Sequence, residues 1–246
     1  MAMDGERKPT AVEQADHKIT SQVNDERDSW PVRLIGAASE IGDQPQMRMI
    51  CAATIAVGIA QRDAHLARAG FKMLAAHTLA TWAKSRIKAV INRRRPKDGD
   101  DPRVRQGDSD RHEENSFPSG HSAGAVAVGE AIARAYPDHA VLARGAALSV
   151  SVVQVPRGTH YAGDVLAGIA IGLIAERVSN AAIDSAVQWA ERDFAKRQRG
   201  ISDDDATPVI RRAVALSSPR IQQNGQDVGS SQPAPYSPEF IALAHP

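Results

Sequence analysis

Five apolar segments of 14 to 16 residues, rich in Ala and Gly, follow one another along the chain and limit the folds open to it. Only 4% of the residues are aromatic, whereas small residues allow helices to approach one another closely. The pattern therefore predicts an all-α fold, a bundle of about five core helices. The predicted helices cover residues 47–60, 70–83, 122–136, 140–155 and 165–178.

The lengths of these segments leave their surroundings open. An upright helix needs about 20 apolar residues to cross the hydrocarbon of a bilayer, and each segment is shorter than that. A mean hydropathy of -0.34 favours a soluble bundle, although this average includes polar sequence at both ends of the chain. Because Ala and Gly suit helix packing in water and in lipid alike, the residues alone favour neither environment.

Polar segments flank the predicted bundle. Residues 1–28 are polar and acidic, and residues 200–246 contain many Pro, Gln and Ser residues. Such compositions bury too little apolar area to offset the entropy cost of ordering, so both segments are predicted to be disordered tails. Residues 29–199 then form the helical-bundle domain. Its first part, 29–42, predicts an amphipathic helix that lies against the core or on a membrane surface.

Charge and cysteine content exclude several classes of protein. The chain has 30 Lys and Arg residues against 29 Asp and Glu residues, so no overall positive field indicates a nucleic-acid partner. Cys51 is the single cysteine, which excludes an intramolecular disulfide and a cysteine-based zinc site. The first 28 residues contain no apolar stretch typical of a cleavable secretory signal.

A basic cluster follows the second apolar segment. Lys88 and Arg95 are separated by six residues, and Pro96 comes directly after Arg95. Two cations about two helical turns apart can hold one oxyanion. A solvated basic helix end, or one that contacts lipid headgroups, would have the same composition. The cluster comprises Lys84, Arg86, Lys88, Arg93, Arg94, Arg95 and Lys97.

The sequence Pro118-Ser119-Gly120-His121 opens the third apolar segment. Unpaired N–H groups and the positive end of the helix dipole make a helix N-terminus a binding site for anions. The Ser119 hydroxyl adds a donor, and His121 lies within reach of the same anion. The alternative is a Ser that only caps the helix beside an incidental His.

His160 and Asp164 are spaced i, i+4 at the start of the fifth apolar segment. This spacing places both side chains on one helix face. Asp164 could accept a hydrogen bond from one imidazole nitrogen and leave the other free as a nucleophile. The alternative is that Asp164 caps the helix and His160 lies at an interface.

All three motifs fall at the polar ends of apolar helices. In an up-and-down bundle these ends lie on one side, so the motifs are predicted to meet in one pocket. A pair of cations, a helix N-terminus and a histidine that converge in this way indicate a phosphate site.

The motifs resemble the signature of the type 2 phosphatidic acid phosphatase superfamily, which includes vanadium-dependent haloperoxidases and soluble bacterial acid phosphatases. The resemblance covers about residues 42–177. It implies that His160 attacks phosphorus to form a phosphohistidine, that Asp164 orients His160, and that His121 protonates the leaving oxygen and later activates water. It also implies that Lys88, Arg95, Ser119 and Gly120 hold the phosphoryl oxygens. No metal or other cofactor is implied.

The third motif departs from the superfamily at two positions. Its Ser and Arg fall on Val153 and Gln154 here. Gln154 can donate a hydrogen bond to phosphate but carries no charge. Either Arg157 supplies the missing cationic contact, or the enzyme is impaired.

The resemblance favours a transmembrane bundle whose substrate is a lipid phosphate or diphosphate. Lys196, Arg197 and Arg199 follow the last helix, and the positive-inside rule then places the C-terminus in the cytoplasm. The expectation is a multi-pass protein of the cell (inner) membrane with its active site on the outer face. The alternatives are a vanadium haloperoxidase with His160 as the axial ligand, or a non-catalytic membrane protein that binds anionic headgroups. The sequence leaves the oligomeric state and the identity of the lipid open.

Overall fold

The computed structural model describes residues 7–24, 28–109 and 111–204, with side chains as far as residue 197. Over these residues the chain forms seven α-helices and one short β-hairpin. The helices are α1 (Ala11–Asn24), α2 (Trp30–Ser39), α3 (Gln44–Ala60), α4 (Ala64–Lys88), α5 (Gly120–Ala135), α6 (Ala140–Val152) and α7 (Ala162–Asp204).

The five predicted core helices are present as α3 to α7, and the all-α fold is confirmed. Several run further than the apolar pattern indicated, because helices continue into polar sequence once one face is packed. Asp63 caps α4, where its side chain accepts a hydrogen bond from the Leu66 N–H at 3.0 Å. Residues up to Arg192 form one compact unit, and a second unit begins at Asp193.

Helices α3 to α6 pack in sequence order, α3 on α4, α4 on α5 and α5 on α6. Close approach of α5 and α7 depends on two glycines in α7. A Cβ on Gly168 would lie 2.5 Å from the Ser119 carbonyl oxygen, and one on Gly172 would lie 2.7 Å from that of Ala123. Small residues four apart therefore let the two backbones touch. The largest group of buried core residues comprises Met47, Cys51, Met73, Ala125, Val126, Val128, Ala131 and Ala147.

The connection between α4 and α5 holds most of the predicted cationic residues. It contains an antiparallel hairpin of β1 (Ile91–Arg93) and β2 (Val104–Gln106), in which Asn92 pairs with Arg105. The backbone of Arg93 also forms an isolated parallel β-bridge with Asn115, outside the hairpin. The hairpin orders a segment that composition alone describes as a long polar loop.

The prediction that residues 1–28 are disordered is wrong for α1. Within this helix Glu13 and Thr20 are buried. Composition is a poor guide here because polar contacts to distant backbone, rather than apolar burial, hold α1 in place. The Thr20 hydroxyl accepts the Ala162 N–H at 3.2 Å, and the Glu13 carboxylate accepts the Val104 N–H at 2.8 Å. Residues 1–6 and 25–27 lie outside the described part of the chain.

The predicted amphipathic helix is present as α2, with Trp30 and Leu34 exposed. One segment, Ala162–Arg197, is long and apolar enough to cross a membrane by length and composition, within the described residues. The C-terminal segment was predicted to be disordered from residue 200, yet α7 continues to Asp204. Residues 205–246, which make up most of that predicted tail, are not described.

Candidate active site

A cavity of about 350 Å³ opens where α3 and α5 begin, where α4 ends and where the α6–α7 connection passes. Five of the predicted site residues line it, and they come from all three sequence motifs. These are Lys88, Arg95, Gly120, His121 and His160. Six further residues, none of them a predicted site residue, complete the lining: Gly42, Asp43, Gln44, Lys84, His112 and Asn115.

The two predicted cations are fixed by backbone carbonyl groups. Lys88, the last residue of α4, donates through Nζ to the Asn115 carbonyl oxygen. Arg95 is buried and donates through Nε to the His112 carbonyl oxygen at 2.9 Å and through Nη1 to that of Thr159 at 3.4 Å. Neutral carbonyl groups orient both side chains, and the cavity lining contains three basic residues, Lys84, Lys88 and Arg95, against one acidic residue, Asp43.

Helix α5 directs its N-terminus at the same cavity, beginning at Gly120. Ser119 is the N-cap, and its Oγ accepts hydrogen bonds from the Ser122 hydroxyl at 2.9 Å and the Ser122 N–H at 3.4 Å. Ser119 is fully buried and does not line the cavity. The Ser119 hydroxyl therefore serves the helix cap, which is the alternative that the sequence had left open. Gly120, the next residue of the motif, lines the cavity instead.

His160 is oriented by a backbone carbonyl rather than by Asp164. Its Nδ1 lies 2.8 Å from the Ser116 carbonyl oxygen, whereas 3.8 Å separates Nδ1 from Asp164 Oδ2, which is too long for a hydrogen bond. A carbonyl oxygen only accepts, so the proton of the neutral ring lies on Nδ1 and the lone pair on Nε2. Contrary to the prediction, His160 and Asp164 are therefore not joined by a direct hydrogen bond.

Asp164 acts on His160 through the neighbouring chain. Its buried Oδ2 accepts hydrogen bonds from the Ser116 hydroxyl and from the Tyr161 N–H, the latter at 2.9 Å. Ser116 supplies the carbonyl that holds the imidazole, and Tyr161 is the next residue after His160. Asp164 thus fixes both segments between which the ring is held.

Arg93 neutralises Asp164 in the interior. Arg93 Nη1 lies 2.7 Å from Asp164 Oδ1, and Arg93 Nη2 lies 2.8 Å from Asp16 Oδ2 on α1. Its guanidinium also lies over the Tyr161 ring, 3.9 Å from the centroid. In the sequence, Arg93 stands out only as one member of the basic cluster. No local spacing could have separated it from Arg94, because its partners lie 71 and 77 positions away.

Burial lowers the pKa of His160 to about 4 and outweighs the nearby Asp164 carboxylate, which favours the charged ring. The imidazole is therefore neutral at pH 7, with an available lone pair on Nε2. This is the state that a nucleophile or a metal-ion ligand requires.

His121 has an acidic partner that the sequence did not reveal. Its Nε2 lies 2.7 Å from Oδ1 of Asp43, the residue before α3. The centroids of the His121 and His160 rings lie 6.5 Å apart, and the two ring planes are inclined at 65°. Both imidazoles line the cavity, so both are close to a group bound there.

Gln154 and Arg157, both predicted to contact phosphate, do not line the cavity. Gln154 is fully buried, with Nε2 donating to Ser39 Oγ at 3.2 Å and to the Val150 carbonyl oxygen at 3.1 Å. Arg157 Nη1 donates to the Gly36 carbonyl oxygen and to Ser39 Oγ, each at 3.0 Å. Both side chains are directed at the end of α2, so the structure does not bring them into the site.

Fold and site together define a class: an α-helical bundle with a cavity at its helix ends that is lined by two histidines and three basic residues. The model of the PAP2 superfamily matches residues 69–185, a segment that contains all three motifs. This match places residues 69–185 of the chain, just under half of its length, in the superfamily.

A solved structure shares the fold. It is described as the crystal structure of the first transmembrane PAP2-type phosphatidylglycerolphosphate phosphatase from Bacillus subtilis. The TM-score is 0.56 at 21% sequence identity, and the match covers 72% of this chain and 88% of that one. No curated protein sequence matches the chain.

Proposed function

We propose that this protein is a metal-independent phosphatase that hydrolyses a lipid phosphate or diphosphate through a phosphohistidine intermediate. Membership of the PAP2 superfamily supports phosphatase activity in general. The observation that carries the finer proposal is the orientation of His160, whose Nδ1 lies 2.8 Å from the Ser116 carbonyl oxygen, so that its Nε2 is left without the proton at the wall of the cavity.

In the first step the lone pair of His160 Nε2 attacks phosphorus. A P–N bond forms, the bond from phosphorus to the leaving oxygen breaks, and His121 donates a proton to that oxygen. Lys88, Arg95 and the N–H groups at the start of α5 stabilise the charge on the remaining phosphoryl oxygens.

In the second step a water molecule attacks phosphorus and His121 takes up one of its protons. The P–N bond breaks, the electron pair returns to Nε2, and inorganic phosphate leaves. Each group ends in the state in which it began, so the cycle needs no other reactant.

A lipid substrate is supported by the surroundings of the cavity. Helix α2 leads to the cavity residues Gly42 and Asp43, and it exposes Trp30 and Leu34. Exposed apolar side chains on a short helix beside a polar site suit the interface of a membrane. We propose that the protein is a multi-pass protein of the cell membrane and that its active site lies on the outer face.

The test is phosphate release in detergent with EDTA present, across phosphatidate, phosphatidylglycerophosphate and a polyprenyl diphosphate. Rapid acid-free quenching with a ³²P-labelled substrate should trap label on wild-type protein and none on His160→Ala. Equal phosphate release by His160→Ala and wild type would remove the catalytic role of His160. Inhibition by vanadate is expected, whereas bromide oxidation that depends on vanadate would indicate a haloperoxidase instead.

A further inference from the structure

The superfamily signature has an arginine where this chain has Gln154, and the structure shows no compensation from the third motif. The Gln154 amide group is engaged by Ser39, Val150 and Thr159, with Oε1 accepting the Thr159 hydroxyl at 2.9 Å. The Arg157 guanidinium is bound to α2. A further cation in contact with the phosphoryl group would therefore come from another element, since neither side chain lines the cavity.

Lys84 lies in the cavity wall. It precedes Lys88 by one helical turn on α4, so both side chains leave the same face of the helix. Only 9% of the residue is exposed, although most lysines lie at the protein surface. A buried lysine in the lining of a polar cavity indicates a function for its charge.

The Lys84 side chain lies against the N-terminus of α5. A Cβ placed on Gly120 would lie 3.1 Å from Lys84 Cδ and 3.6 Å from Lys84 Nζ. The absence of a side chain at Gly120 therefore makes room for the lysine stem. As a result, an ammonium group and the first N–H groups of α5 lie side by side, and both favour the same anion.

The Lys84 charge is uncompensated within the described residues. No hydrogen bond or ion pair of its ammonium group occurs there, and burial disfavours the charged form, as does the nearby charge of Arg48. Asp43 lines the same cavity, but its carboxylate pairs with His121. A buried charge without a partner is costly, and an anion bound in the cavity would remove that cost.

We infer that Lys84 is a phosphate-binding residue and supplies, from α4, the positive charge that the third motif lacks at Gln154. This rests on the proposed function, since it assigns a further residue to the same phosphate site. Under this assignment Lys84, and not Arg157, compensates for the missing arginine, and the enzyme is not impaired.

The experiment compares Lys84→Met with Arg86→Gln in detergent-purified full-length protein. Arg86 is an exposed residue of α4 two positions away, so its replacement removes one positive charge from the same helix outside the cavity. Binding of inorganic phosphate is measured by calorimetry, the inhibition constant of orthovanadate and kcat/KM are measured by phosphate release, and Tm is measured without ligand.

Lys84→Met is expected to weaken phosphate and vanadate binding at least about tenfold and to raise the ligand-free Tm, because it removes a buried unpaired charge. Arg86→Gln should leave each quantity within about twofold of wild type, and Lys84→Arg should retain most of the phosphate affinity. A merely structural lysine would give the opposite pattern in Lys84→Met, a lower Tm with unchanged phosphate binding.

Phosphate affinity of Lys84→Met within twofold of wild type would overturn the inference. Failure of Lys84→Arg to bind phosphate while folded would overturn it too, since a retained charge should retain the contact. Because phosphate binding is measured without turnover, wild-type protein that binds phosphate through Lys84 but hydrolyses no substrate would refute the proposed function and leave the assignment of Lys84 intact.

Discussion

The Arg93 guanidinium lies 2.7 Å from the Asp164 carboxylate, and the two residues are 71 positions apart in the chain. Both side chains are almost fully buried. Asp164 positions the two chain segments that hold His160. Because Arg93 pairs with Asp164, its charge helps to maintain the position of the candidate nucleophile without contacting it.

Replacement of Arg93 by methionine should destabilise the protein by about 3 kcal/mol, because it leaves the Asp164 charge buried without a cation. Activity should fall with stability, since His160 loses its fixed position. The matched control is Arg94→Met, which changes an exposed neighbour and should shift the free energy of unfolding by less than about 0.5 kcal/mol. Thermal unfolding in detergent checks both, and equal Tm values for the two variants would contradict the role of Arg93.

Asp16 should connect α1 to the active site. It accepts a hydrogen bond from the Gly163 N–H at 2.9 Å as well as the ion pair from Arg93. Asp16→Ala is expected to lower the free energy of unfolding by about 2 kcal/mol. It should lower kcat more than it changes KM, because the two partners of Asp16, Arg93 and Gly163, do not line the cavity. Gln14→Ala, an exposed change on the same helix, is the control. Unchanged kcat and Tm in Asp16→Ala would show that α1 is dispensable.

Asp43 should position His121 for proton transfer. Asp43→Asn is expected to lower kcat about tenfold or more with little change in phosphate affinity, because misplacing a general acid affects the chemical step more than binding. Glu40→Gln removes a negative charge from an exposed residue three positions away and serves as the control. Steady-state phosphate release distinguishes the two. A fall in kcat of the same size in both variants would indicate a general charge effect instead.

The pH dependence of kcat/KM should report the burial of His160. Since the folded pKa of His160 is lowered to about 4, the ring gains its proton only below that pH, and the rate should fall about tenfold for each further pH unit. The same shift means that the unfolded chain binds the proton first on acidification. The stability contribution of neutral His160 is therefore complete above the unfolded pKa and is lost as pH falls through the range down to about 4. The prediction would be contradicted if kcat/KM fell on acidification with a midpoint near pH 6.5 and substitutions around His160 left that midpoint unchanged.

Restoration of the signature arginine should fail. Gln154→Arg would place a charge among Ser39, Val150 and Thr159, away from the cavity, and is expected to cost about 3 kcal/mol without improving kcat/KM. Arg157→Ala should leave phosphate affinity within about twofold and lower Tm modestly, because it releases the end of α2. Phosphate release and Tm check both variants. A gain of activity in Gln154→Arg, or a tenfold loss of phosphate affinity in Arg157→Ala, would restore the original expectation.

The sequence by itself determined the helical bundle and the presence of three motifs at helix ends. Both depend on local physics: apolar runs have helical length, and polar residues stand where those runs begin and end. The i, i+4 spacing along α4 could have identified Lys84, which stands one turn before Lys88, although nothing local separates a cavity-facing lysine from a solvated one.

Only the tertiary structure decided which atoms meet. The Ser116 carbonyl group took the place at His160 Nδ1 that spacing had given to Asp164, and Arg93 and Asp43 acquired partners far from them in sequence. Gln154 and Arg157 turned towards α2 because buried polar groups take the nearest acceptors that packing supplies. Helix α1 became ordered for the same reason, since its polar side chains bind backbone groups brought close by the folded bundle.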